Sequence, residues 1–384
     1  MPDLQKVLQL MIDRGASDVF LTCGATPRIK IEGVTHSLNV PILKRGEVRD
    51  MAYSIMSERQ KAAFDETMEA NLSYSFGQAG RFRMNVFLQR GEMGMVIRQI
   101  KSQVPSFKQL GLPAQCADFA MTKRGLVLFV GAAGSGKSTS LAAMVTYRAA
   151  NGDGHILTIE DPIEFLFRHS RALVDQREVS VDTRTFGDAL RNAMREAPDV
   201  IMIGEIRDQE TARHAIAYAE TGHLCLSTLH ASGADQAVDR LVNFFPEPAR
   251  QQILMDLSLN LKAVISQRLV PSIDGKVALA TEVMVSTMQI SEMIRQGRAN
   301  ELKDAMSKGS QSGMYTFDQS LFELYKAGRI SAEEALRNAD SRTDLGLRIR
   351  LSAPLTVADA PNLTMVDLEA KAAAENPGRH YKRT

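Results

Sequence analysis

Apolar residues recur at i, i+3, i+4 and i+7 in Leu4, Val7, Leu8 and Met11, a spacing that predicts an amphipathic helix ended by Gly15. Two short strands are expected over 18–22 and 28–32, set off by Pro27 and Gly33, and residues 47–69 read as helical. The run Arg81-Phe82-Arg83-Met84-Asn85-Val86 alternates with period two, and after Gly91 a second strand runs through Arg98. This alternation turns Phe82, Met84 and Val86 toward a core and leaves Arg81, Arg83 and Asn85 on the opposite face. Residues 1–100 thus form an α+β N-terminal domain. Residues 101–123, with Pro105, Gly111 and Pro113, read as a linker carrying a short helix.

Past residue 124 the pattern alternates buried strand and helix. Leu126 to Val130 is an uninterrupted apolar run followed by a helix over 139–148. Further strands are expected at 155–159, 200–203 and 224–227, with helices at 186–196 and 209–221. Such a chain is an α/β domain with a parallel sheet, whose ligands sit at the carboxyl ends of the strands. From Pro246 onward the pattern reads as mostly helical, over 249–267, 289–295, 300–308, 317–326 and 332–340. The second domain therefore spans 124–351. Residues 352–384 hold three prolines and an Ala-rich polar stretch, and read as a mostly disordered tail.

The junction of the first buried strand and its helix is GAAGSGKS, 131–138, a complete G-x-x-x-x-G-K-[ST] phosphate loop in its proper context. Glycines at 131, 134 and 136 let the backbone aim N–H groups at a β-phosphate, and the helix N-terminus adds partial positive charge. The nucleotide-binding set is Gly131, Ala132, Ala133, Gly134, Ser135, Gly136, Lys137, Ser138 and Thr139. Lys137 is expected on the β- and γ-phosphates of ATP and the Ser138 hydroxyl on Mg2+.

Composition narrows the partners. Lys plus Arg number 46 against 45 Asp plus Glu, so no global basic field exists to hold nucleic acid or an anionic membrane. No apolar run approaches the ~20 residues that span a bilayer, and the N-terminus lacks a basic segment followed by an apolar core, so a cytoplasmic protein without a transmembrane segment is expected. Cys23, Cys116 and Cys225 are scattered, which argues for reduced thiols and against a zinc site.

A phosphate-loop enzyme needs one carboxylate to orient water and another to serve Mg2+ or its water shell. Glu205 follows the apolar strand Val200 to Ile203, where Gly204 stands in the place usually given to Asp, so Glu205 suits the water-orienting role; the alternative is a helix-start carboxylate paired with Arg207. Glu160, Asp161 and Glu164 crowd after another strand end and would gain from a cation. His230, also just past a strand, reads equally as a γ-phosphate contact or as structural.

Taken together, GAAGSGKS, ILTIEDPIEF (156–165), APDVIMIGEIRD (197–208) and TGHLCLSTLHA (221–231) resemble the Walker A, Asp, atypical Walker B and His boxes of the type II secretion and type IV pilus ATPases. SDVFLTCGATPRIKIEG (17–33) and GRFRMNVFLQRG (80–91) resemble the pilus-retraction branch, the twitching motility ATPases PilT and PilU, over residues 1 to about 351. The resemblance implies a PAS-like N-terminal domain, a RecA-like ATPase domain and a ring of six subunits with ATP between the two domains. It assigns catalytic roles to Glu205, to Glu160 and Glu164 of the Asp box and to His230. It places Asp161 by Mg2+ and brings Arg81, Arg83 and Arg98 toward the nucleotide. Retraction motors of the PilT kind carry an AIRN-type signature where this chain has Met288 to Ile294, and the segments 313–330 and 334–351 look more like PilU. That likeness implies a PilT-like ATPase and an inner-membrane platform protein as partners, at the cytoplasmic face of that membrane. The rivals are an assembly or secretion ATPase, which usually carries a four-cysteine zinc motif and a longer N-terminal region, and a low-turnover ATP-binding scaffold. A nucleic-acid translocase is disfavoured by the charge balance.

Overall fold

The computed structural model describes residues 3–77 and 80–352. The opening helix α1, Leu4–Arg14, buries Leu4, Val7, Leu8 and Met11, accepts an N-cap bond at Asp3 and ends on left-handed Gly15. β1 (Asp18–Thr22), β2 (Arg28–Ile31) and β3 (Val34–Ser37) follow. The helical stretch expected over 47–69 is two helices, α2 (Glu47–Tyr53) and α3 (Glu58–Thr67), because Ser57 and Gln60 build a capping box that restarts the helix. β4 (Glu69–Phe76), β5 (Gly80–Gln89) and β6 (Glu92–Ile100) complete an antiparallel sheet of order β3-β2-β1-β6-β5-β4. β3 and β4 carry no clean alternation of buried and exposed positions, so the hydrophobic pattern did not reveal them. Phe82, Met84 and Val86 are fully buried in this sheet's core, as their period predicts.

The 101–123 stretch holds two short helices, α4 (Phe107–Leu110) and α5 (Cys116–Ala120), rather than one. There follow β7 (Gly125–Val130), α6 (Lys137–Asn151), β8 (His155–Glu160), β9 (Leu173–Glu178), α7 (Phe186–Ala193), β10 (Val200–Ile203), α8 (Gln209–Glu220), β11 (Leu224–Leu229), α9 (Ala234–Asn243) and α10 (Glu247–Asn260). The helix expected over 249–267 stops at Asn260, and Leu261–Pro271 is strand β12, parallel to β7. Two forces decide this. Asn260 turns its amide onto Asp256 O, and Ala263, Val264 and Ile265 are buried against β7, where β-branched side chains fit a pleated surface.

β13 (Val277–Val285), also unexpected, returns antiparallel to β12, giving the order β13-β12-β7-β11-β10-β8-β9. Its outer edge is covered: Tyr315 and Val283 exchange backbone bonds, and Ser320 accepts the Thr281 amide. Ser320 lies on α13 (Phe317–Lys326), which follows α11 (Met288–Arg295) and α12 (Leu302–Lys308) and precedes α14 (Ala332–Asn338) and α15 (Arg342–Ser352). α15 was not anticipated. Its buried Leu345 and Ile349 are too few to set a visible stripe. The tail expected over 352–384 lies, beyond Ser352, outside the described residues.

Glu282 sits opposite Ser266 in the β12–β13 ladder, accepting from Ser266 Oγ at 3.0 Å and from the Ala234 amide at 2.8 Å. Burial holds its carboxyl above the ordinary 4.5, outweighing the stabilising Ala234 amide and Lys303. The folded protein therefore keeps a proton that the unfolded chain has released, and stability falls as pH rises through that window. Glu282→Gln is expected to flatten this decline; thermal melts between about pH 5 and about pH 8 test it, and parallel profiles for the two proteins would contradict it.

Candidate active site

Four adjacent parallel strands, β7, β11, β10 and β8, deliver their carboxyl ends to one edge of the sheet. The phosphate loop leaves β7 there. Gly131, Gly134 and Gly136 all have positive φ, and a Cβ at Gly131 would stand 2.5 Å from Ser135 Oγ and 2.7 Å from Gln267 O. Gly136 caps α6 without a side-chain bond, which leaves the helix N-terminal amides open toward the cavity. Ser135 Oγ is buried with no partner among the described residues. Lys137, also buried, rests its Nζ on the carbonyls of Gly131 and Ala132, both at 2.9 Å. Burial lowers its pKa, and Glu205 and Glu164 oppose that shift. Loop, amides and lysine fit a triphosphate.

β10 delivers Glu205. Ser227 Oγ donates to Ile203 O at 2.7 Å, Thr228 Oγ1 to Gly204 O at 2.8 Å, and the Ile206 amide to Thr228 O at 2.9 Å. These bonds fix the ends of β10 and β11 together, so Glu205 and His230 meet with Oε1 and Nε2 3.2 Å apart. Glu205 is thus paired with His230, while the Arg207 that could have held it pairs with Asp161 at 3.2 Å and lies over the Phe186 ring. One cavity of roughly 260 Å3 is lined by Lys137, Ser138, Glu160, Asp161, Glu164, Glu205, Arg207, Thr228 and His230.

The three carboxylates after β8 part company. Glu160 is buried, accepts from Thr158 Oγ1 at 2.7 Å and Gln176 Nε2 at 3.1 Å, and has its pKa pushed up to about 7 by burial. Asp161 faces Arg207. Among the described residues no three His, Cys, Asp or Glu side chains gather as a metal site.

The arginines divide as well. Arg83 and Arg98 line a neighbouring cavity of roughly 410 Å3 that shares Pro162, Glu164 and Phe165 with the first and touches Thr139, and Arg98 is bonded to Asp18 at 2.7 Å. Arg81 turns instead to Glu178, 3.8 Å away. Arg207, Thr228 and Gln176 were not foreseen as site residues. The EIRD segment carried a signal for Arg207, whereas Gln176 lies on β9, a strand the pattern did not show.

Fold and site together define a P-loop ATPase. The family model described as "Type II/IV secretion system protein" matches residues 1–341. The type IV pilus ATPase PilU of Pseudomonas aeruginosa is 46% identical over 382 residues, covering 99% of this chain and 100% of that protein. PilT, a type IV pilus retraction ATPase of the same organism, is 41% identical, with coverages of 88% and 98%. The crystal structure of the pilus retraction motor PilT with bound ADP matches with a TM-score of 0.84 and 39% identity, over 90% of this chain and all of that one. The chain belongs to the type II/IV secretion system protein family and, within it, to the PilT and PilU pilus retraction ATPases.

Lys137→Ala removes the ammonium group from the phosphate loop and is expected to weaken ATP binding by about two orders of magnitude. Titration with a fluorescent ATP analogue measures this, and an unchanged affinity would contradict the assignment.

Proposed function

We propose that this protein is an ATP-hydrolysing motor of the type IV pilus machinery that supports pilus retraction and twitching motility. The observation that carries the reading is the Glu205–His230 pair, 3.2 Å apart in the cavity that also holds Lys137. Glu205 orients the attacking water and accepts its proton, and His230 fixes the carboxylate's direction. Lys137 exchanges its two backbone carbonyls for the β- and γ-phosphates. Glu160, its pKa pushed up to about 7 by burial, is partly protonated near neutral pH and so limits the negative charge that the phosphates meet.

Mg2+, when bound, would neutralise phosphate charge. Ser138 would hold it, with Asp161 and Glu164 in reach of its water shell. Arg83 and Arg98 would approach the nucleotide from the neighbouring cavity, and the working form would be a ring of six with ATP between its domains. The likeness to PilU supports a role beside a PilT-like ATPase on an inner-membrane platform protein, at the cytoplasmic face. No helix of the described residues is long and apolar enough to cross a membrane. The exposed Met288, at the start of α11 where this chain departs from the AIRN signature, belongs to the surface that would distinguish it from the partner motor.

Glu205→Gln should leave ATP bound but lower phosphate release by ~10²-fold or more. Turnover assays paired with binding measurements decide the matter: loss of binding would make Glu205 structural, and a normal rate would move the base elsewhere.

A further inference from the structure

Arg81 faces neither cavity of the nucleotide site; it is part of a contact between the N-terminal sheet and the ATPase sheet. Glu178, the last residue of β9, is buried, accepts from Ser73 Oγ on β4 with both carboxylate oxygens at 3.2 Å, and lies 3.8 Å from Arg81 on β5. A buried carboxylate of this kind is costly unless paired, so the contact has a definite geometry. The register shows what that geometry controls. Arg83 is two residues beyond Arg81 on the same face, Ser73 lies opposite Arg83, and Arg98 lies opposite Arg83 on the other side.

A second tether closes the frame at the end of β6, where the Leu166 amide donates to Lys101 O at 3.0 Å. Between the two tethers opens the cavity in which Arg83, Arg98 and Lys101 face Thr139 and Glu164. The sheet that carries the cations is thus held to the ATPase unit on both flanks of the opening, once through side chains and once through backbone.

We propose that Glu178 and Arg81 are an interdomain positioning pair, which sets the distance of Arg83 and Arg98 from the nucleotide, and that Arg81 itself makes no nucleotide contact. This inference rests on the ATPase reading above. Moving such groups by about an ångström lowers rates by up to about 100-fold, and residues acting through one another are non-additive.

The test uses full-length protein with Mg2+-ATP. Glu178→Ala and Arg81→Ala should each lower kcat/KM by about 5- to 20-fold, and the double variant should be no worse than either. Glu178→Ala combined with Arg83→Ala should match Arg83→Ala alone. Multiplying losses in either combination would overturn the proposal, as would unchanged rates in both single variants. Should Glu178→Ala fail to fold, Glu178→Gln, which keeps the bond from Ser73, should show a smaller loss that likewise disappears against Arg81→Ala, and an undiminished additional loss would overturn the idea. Tryptic cleavage after Lys101, which needs no turnover, should quicken severalfold in Glu178→Ala, and an unchanged rate would count against the pair. Absence of turnover in the unmodified protein would refute the ATPase reading alone, since the cleavage readout would still judge the positioning pair.

Discussion

Alignment of the carboxyl ends of β7, β11, β10 and β8 governs the site. β7 is buried along its whole length between β12 and β11, so the chain can turn only at the strand's end, and the crowding there, with Ser135 Oγ and Gln267 O against Gly131, admits only glycine. The side-chain bonds from Ser227 and Thr228 then carry the alignment past the last ladder bond to the loops that hold Glu205 and His230. The placement of Glu205 relative to Lys137 is therefore set by the sheet rather than by the loops.

The cavity is rich in carboxyl groups, with Glu160, Asp161, Glu164 and Glu205 against Lys137 and Arg207. An excess of negative charge would repel a triphosphate unless part of it were masked. Two devices mask it: burial raises the pKa of Glu160, and Arg207 pairs with Asp161. The Asp161–Arg207 pair is half exposed, where ion pairs are worth ~1 kcal/mol or less.

Much of this was legible in the sequence, and unevenly. The phosphate loop, the apolar strands before it and before Glu205, and the alternation around Arg83 are local patterns, and each led to the right place. What stayed hidden depends on partners far along the chain. Leu261 to Gln267 has enough apolar character for a helix and becomes a strand only because β7 lies beside it. β9 is polar over its last four positions, Asp175 to Glu178, so neither Gln176 nor Glu178 could be seen approaching the site or the N-terminal sheet. Spacing alone could not separate Arg81 from Arg83, which share a face but meet different distant neighbours, Arg81 turning to Glu178 and Arg83 to a cavity lined by Thr139 and Glu164.

The covering of β13 has a bearing on how such chains coexist at high local concentration. An uncovered strand at the rim of a seven-stranded sheet is a template for pairing with any like strand nearby. Here Tyr315 occupies the rim's hydrogen-bonding groups at Val283, and Ser320 takes the amide of Thr281. The segment from Tyr315 into α13 is therefore a guard against indiscriminate self-association as well as a packing layer. At this rim it leaves contacts between copies to side chains rather than to strand addition.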